Sequence, residues 1–96
     1  MALEIVWTKR AEEGYSEIIR YLAAHFTDKE IQKFVRQSND FFELLSSYPE
    51  LLERSKNQKY LYRGPINKYT ILTYRFKPKK KQIELINIRS SRQKPL

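Results

Sequence analysis

From residue 9 to residue 46 the apolar side chains recur at steps of three and four, and from residue 59 onward that rhythm gives way to short β-branched and aromatic runs. A chain of 96 residues with one such change of period has room for a single layer of helix against one small sheet. The first stripe is Ala11, Tyr15, Ile18, Leu22 and Phe26, widened by Ile19. The second is Ile31, Phe34, Val35, Ser38, Phe41, Phe42 and Leu45. Between them, Thr27-Asp28-Lys29-Glu30 is a capping box, with Thr27 accepting from the start of the second helix and Glu30 reaching back. The spacing predicts an αα-hairpin over about residues 9–25 and 28–46, with Tyr15, Ile18, Leu22, Phe34, Phe41 and Leu45 buried. Ser46-Ser47-Tyr48-Pro49 closes it, because a residue before proline is pushed out of the α region. Gly14 weakens the first helix by up to roughly 1 kcal/mol and permits close packing against the next element.

Leu3 to Thr8 reads as a short opening strand, and Glu50 to Arg54 as one further turn after the hairpin. Lys59 to Arg63 is a short aromatic strand stopped by Gly64-Pro65. Tyr69 to Phe76 is the strongest strand signal, dense in β-branched and aromatic residues. Lys77-Pro78-Lys79-Lys80-Lys81 connects it to a returning strand, Ile83 to Ile88. Apolar residues occupy both parities in that last strand, so its faces stay unassigned, a pattern common in central strands. The expected fold class is α+β, in the order β-α-α-β-β-β. A two-helix hairpin covers one face of a small antiparallel sheet, and the other face lies open as a concave basic surface. One domain spanning residues 1–96 is expected, without repeats, linkers or low-complexity segments.

The chain has no Cys, which excludes disulfides, thiolate metal sites and a Cys nucleophile. Its one histidine, His25, ends the first helix, where a capping or surface role fits better than catalysis. No clustered metal ligands, P-loop, dinucleotide fingerprint or G-x-S-x-G elbow occurs, so no metal and no cofactor are expected. The start lacks the basic flank and apolar run of a signal peptide, and no segment approaches a membrane span. The expectation is therefore the cytoplasm and no membrane partner.

Charge divides the chain sharply. Residues 1–53 carry six Lys/Arg and ten Asp/Glu, a balance of −4. Residues 54–96 carry thirteen Lys/Arg and one acid, Glu84, for +12. Such asymmetry makes a field that attracts polyanions or an acidic protein, although solubility alone is the plainer alternative. The Lys79-Lys80-Lys81 run fits nucleic acid, and equally a hairpin tip where charge costs little. What remains for chemistry is Arg, Lys and Tyr on a sheet, able to hold phosphates, neutralise a developing dianion or stack on a base. Tyr or Lys would move a proton only if surrounding cations depressed its pKa.

Ile5-Val6-Trp7-Thr8 followed by Ala11 and the apolar residues through Tyr21-Leu22 resembles the first strand and helix of the RelE/ParE toxin superfamily. Phe34 through Leu45 and then Pro49 resembles its second helix and the pattern ending it. Tyr69-Thr70-Ile71-Leu72 is similar to the strand usually written Tyr-Arg-Ile, and Ile86 through Ile88 with Arg92-Gln93-Lys94-Pro95 to the closing strand and its Arg-x-x-Pro ending. The order of these pieces covers nearly the whole chain. The resemblance implies the β-α-α-β-β-β fold and the toxin half of a type II toxin–antitoxin module, wrapped by an acidic, partly disordered antitoxin. Its RelE-like branch cleaves mRNA in the ribosomal A site without metal, and its ParE-like branch poisons DNA gyrase.

Two departures separate the branches. Thr70 stands where RelE-like enzymes commonly carry Arg, and the ending holds no Tyr or His. The helical hairpin and the Arg-x-x-Pro ending are closer to the ParE-like branch. The expected function is thus a ParE-like toxin with DNA gyrase as the target. Ribosome-dependent mRNA cleavage is the alternative, and a non-toxic basic nucleic-acid-binding module the third reading. Arg63, Arg75, Arg89 and Arg92 are the candidates for a positive functional surface, with Tyr74 and Lys94 as additions. They lie on or beside strands, Arg suits fixed phosphate or carboxylate geometry, and Arg92 matches the terminal motif. In the plainer reading, Arg75 and Arg89 bracket strand ends and point to solvent.

Overall fold

Two threonines set the helix starts. In the computed structural model, which describes residues 2–91, the Thr8 side chain accepts from the Ala11 N–H at the start of α1 (Lys9–His25). Thr27 does the same for the Glu30 N–H at the start of α2 (Asp28–Ser47). Ahead of α1 lies β1 (Glu4–Trp7), and after α2 come β2 (Glu53–Arg54), β3 (Leu61–Asn67), β4 (Thr70–Lys77) and β5 (Gln82–Ser90). A 3-10 turn, Pro78–Lys80, joins the last two strands. The sheet order is β1-β5-β4-β3-β2. β2 through β5 pair antiparallel, as the hairpin signals imply, while β1 adds itself to β5 in parallel at the edge. The expected element order and the two-helix layer on one sheet face are therefore present.

The core is made by the predicted stripes. Ile18, Leu22, Phe34 and Leu45 are buried, and they meet Leu72, Ile83, Leu85 and Ile88 from the sheet. At roughly 1.5–3 kcal/mol for each fully buried large apolar side chain, this layer is the main source of stability. Tyr15 and Phe41 are only half-buried, although they pack against that core. Tyr15 stacks on Phe34 at 5.5 Å and meets Trp7 edge-on at 5.4 Å, so its ring joins the two helices to β1. Ser38 is fully buried within the second stripe because it is small and partnered: it accepts from the Asn67 amide at 3.3 Å.

Three local readings are corrected. The strand expected over Lys59 to Arg63 starts at Leu61 and runs through Gly64-Pro65 to Asn67. Proline is tolerated there because β2 pairs only with Tyr62 and Arg63, leaving Pro65 on an edge where its missing N–H breaks no ladder. The turn expected over Glu50 to Arg54 is confined to Pro49 and Glu50, and Glu53–Arg54 form the edge strand instead. The mixed parity of the last strand comes from a bulge. Thr73 pairs with Asn87 and Tyr74 with Leu85, leaving Ile86 as the extra residue. Ile83 and Leu85 therefore share the helix-covered face with Ile88.

Gly14 is where α1 meets the backbone of β5. A Cβ there would overlap the Ile88 carbonyl oxygen and sit 2.9 Å from the carbonyl carbon. At Gly64 an added Cβ would meet only the Leu52 side chain, at 3.2 Å from Cδ2. Gly14→Ala should thus destabilise the fold by about 1–3 kcal/mol through overpacking, despite alanine's better helix propensity. Gly64→Ala should stay within about 0.5 kcal/mol, because a side chain can turn away. Urea denaturation of both variants checks this, and a neutral Gly14→Ala would refute the close approach.

Candidate functional site

Strand alternation sorts the chemistry of the second half between two faces. Along β4, Thr70, Leu72 and Tyr74 are buried toward the helices, so Ile71, Thr73 and Arg75 look out of the opposite face. Cross-strand register carries this outward set to its neighbours. Arg63 lies opposite Thr73, Arg75 opposite Leu61 and Glu84, and Arg89 opposite Ile71. Arg63 and Arg75, from adjacent strands, therefore belong to one open face, while Arg89 lies at the free edge of β5, where it borders α1. Diagonal neighbours such as Arg63 and Arg75 stand about 7–8 Å apart at Cα.

The three arginines do not converge on one hollow. Arg63 lines a groove of about 550 Å³ with Glu53, Arg54 and Lys56. Arg75 donates to the Gln58 Oε1 at 3.3 Å and lines a second hollow with Lys59, Tyr60, Lys79 and Lys80. Arg89 sits at the edge of β5 beyond the reach of β1, where it lines a cleft of about 560 Å³ beside Arg10, Glu13 and Glu17 of α1. Glu84, the one acid of the second half, is held by Lys77 at 3.4 Å. The face is thus an extended cationic surface with several footholds, suited to a long anionic partner more than to a small substrate.

Tyr74 does not join it. The same alternation that turns Arg75 outward turns Tyr74 inward, fully buried and stacked on Tyr62 with ring centroids 5.2 Å apart. Its hydroxyl donates to the Pro49 carbonyl at 2.6 Å and accepts from the Leu52 N–H at 3.4 Å. That clamp fixes the segment leading into β2. Burial pushes the Tyr74 phenol up to about 12. Tyr15 and Tyr62 are also raised, chiefly by burial. Shifts of this direction keep a phenol protonated, the opposite of what an activated proton-transfer group needs. Arg92 and Lys94 lie outside the described residues.

His25 is exposed in the last turn of α1, its ring 4.5 Å from that of Tyr21. Among the described residues no group of His, Asp and Glu could hold a metal ion, and no helix is long and apolar enough to cross a membrane. Sequence reasoning passed over Gln58, Lys59, Tyr60 and Lys77 as site residues. They line the hollow of Arg75, where Tyr60 adopts φ 70°, which no local pattern announces for a tyrosine.

The family model described as the ParE toxin of type II toxin–antitoxin systems, parDE, matches residues 5–95. The fold is similar to a chain in the crystal structure of the toxin–antitoxin complex RelBE2 from Mycobacterium tuberculosis. The TM-score is 0.61 at 12% identity, covering 94% of this chain and 99% of that one. It is also similar to a conserved hypothetical protein from Helicobacter pylori, with a TM-score of 0.54, 16% identity and coverage of 93% and 94%. No curated protein matches the sequence.

The Tyr74 clamp has a measurable consequence. Its phenol ionises near 10 in the unfolded chain and near 12 in the folded one, so the unfolded state gives up its proton first on alkalinisation. The stabilisation is full below about pH 10 and is lost as pH rises through about 12. Tyr74→Phe should cost about 1–2 kcal/mol at neutral pH, by leaving the Pro49 and Leu52 backbone groups without this partner, and should flatten the alkaline loss. Chemical denaturation at pH 8 to 11.5 reads both effects, and an unchanged alkaline slope would count against the clamp.

Proposed function

The chain belongs to the ParE toxin family of type II toxin–antitoxin systems, and on that premise we propose that it arrests growth by acting on DNA gyrase through its open basic face. An acidic antitoxin covers that face in the neutralised complex. The observation that carries this reading is the placement of Arg63 and Arg75 on one open face from adjacent strands, with Arg89 at the edge of β5 and the lone acid of the second half already engaged by Lys77. The likeness in fold to a chain of a solved toxin–antitoxin complex supports the antitoxin partner. Arg92, which carries the terminal Arg-x-x-Pro element, and Lys94 are included in the proposal on their charge and motif alone.

RNA cleavage as the alternative needs a group able to take a proton from a 2′-OH. The tyrosines whose ionisation the fold shifts are all held protonated, and they lie among the helices and on the covered face. In the ribonuclease reading Tyr15, Tyr62 and Tyr74 are therefore not the base.

The expected outcomes are specific. Arg92→Ala, and separately the Arg63→Ala/Arg75→Ala pair, should reduce growth arrest on matched expression. At Arg63 and Arg75, both exposed, each substitution should cost the fold no more than about 0.5 kcal/mol. Full toxicity in folded variants would remove these arginines from the function. Induction of the wild-type chain should raise DNA-damage signalling with trapped gyrase–DNA complexes, whereas prompt arrest of translation with cut mRNA would favour the ribonuclease. Association with the antitoxin should slow steeply as salt rises, while dissociation changes less.

A further inference from the structure

Where β4 outruns β3, the chain builds a hollow of about 480 Å³ whose lining contains no carboxylate. Lys59, Arg75, Lys79 and Lys80 surround it, and Lys77 lies in the same wall. Its apolar side is Tyr60 and Phe76, whose rings meet edge-to-face with centroids 5.9 Å apart. The Lys59 ammonium stands 5.2 Å from the centre of the Tyr60 ring, so an aromatic surface and a cation are presented together.

This corner is also where the backbone is strained. Among the described residues only Tyr60 (φ 70°) and Lys81 (φ 53°) are non-glycine residues in the left-handed region. Tyr60 is locked there by the Phe76 N–H, which donates to its carbonyl at 2.8 Å. Lys81 caps the 3-10 turn that presents Lys79 and Lys80. Left-handed geometry is costly for a bulky side chain, and it persists where surrounding structure enforces it, often at binding sites. Here Tyr60 lines the hollow itself, and Lys81 ends the turn whose residues Lys79 and Lys80 line it. Relaxing Tyr60 would take its ring away from Phe76.

We propose that this hollow is a binding site for single-stranded nucleic acid, in which a base lies against Tyr60 and the flanking phosphates are held by Lys59, Lys79 and Lys80. Unstacked bases and a cationic rim with an aromatic floor are the matched chemistries of single-strand recognition. An acidic peptide is the poorer fit. It offers no flat base to lie against Tyr60, although lysines, as point charges, hold carboxylates as readily as phosphates. A duplex would meet the rim but would keep its bases from the ring. The hollow shares Arg75 with the face of the gyrase reading, but binding is measured on the purified chain without reference to growth, so the two readings fail separately.

The test is fluorescence anisotropy with labelled oligo-dT and oligo-U of about 12 nucleotides, within the usual length of single-strand sites. A duplex and a polyglutamate peptide of matched charge serve as competitors. Single strands should bind more tightly than the duplex, and the two oligomers show whether DNA or RNA is preferred. Tyr60→Ala should weaken binding at least about fivefold, as expected for loss of one stacked base. The exposed pair Lys79→Gln/Lys80→Gln should lower the slope of log affinity against log salt by about 1.4, near 0.7 for each phosphate no longer neutralised. That pair keeps the test decisive if Tyr60→Ala folds poorly. Wild-type affinity and salt slope in the lysine pair would overturn the proposal. So would a folded Tyr60→Ala that binds as tightly as wild type. Polyglutamate displacing the oligomers at equal charge, with no effect of Tyr60→Ala, would assign the hollow to an acidic protein instead.

Discussion

The contact on which the rest of the structure depends is that between α1 and the backbone of β5 at Gly14. A helix carrying any side chain there would have to stand away from the Ile88 carbonyl. The missing Cβ lets it lie against the strand, and Ala11, Ile18 and Leu22 are buried along the same stripe. A second fastening holds the start of the helix. Thr8 Oγ1 lies 2.7 Å from the Leu85 carbonyl, to which it donates, while accepting from the Ala11 N–H. One fastening is steric and the other polar, and both use the strand that also receives β1. With α1 fixed on β5 and α2 packed against β1 and β3, the helices occupy one side of the sheet. The opposite side is left to the charged residues of β3, β4 and β5.

That arrangement converts a division along the chain into a division across the molecule. The acidic first half forms most of the helical layer, and the basic second half forms most of the sheet. Surface charges of opposite sign are thereby separated, so few of them neutralise one another; among the described residues the one salt bridge joins Lys77 and Glu84. Placing like charges side by side opposes folding slightly, and each exposed pair matters little to stability. The benefit is a field of one sign over the open face, which is a property of association and not of the fold.

The hairpin, its caps and most of the core were legible because helical periodicity and local capping are short-range properties. Thr27 to Glu30 announces a helix start whatever lies elsewhere in the chain. What escaped depends on partners distant in sequence. The faces of β5 could not be read because the bulge at Ile86 exists only in the pairing with β4. Pro65 looked like a strand end, since nothing local tells that it lies on an edge. The parallel addition of β1 to β5 joins residues nearly eighty positions apart, for which no turn chemistry exists. Of the candidate site residues, Arg63 and Arg75 are exposed on the open face, as charge on strands suggests, whereas Arg89 borders α1 and Tyr74 turns inward. Charge indicates an outward side chain, but a tyrosine fits either side of a sheet, and only the register decides which.

The spread of the arginines bears on what kind of action the face can perform. Catalysis by positioned groups requires reacting atoms and their stabilisers within about 3 Å of a common point. Arg63 and Arg75 instead line two separate hollows of the sheet, and Arg89 a third against α1. Rigid strands fix the spacing between these footholds, so a partner must bring several anionic or polar groups at matching intervals to use them together. A flexible acidic segment can do so by following the face. A folded target can do so only if its own surface is complementary, which makes the two modes of contact compete for the same charges.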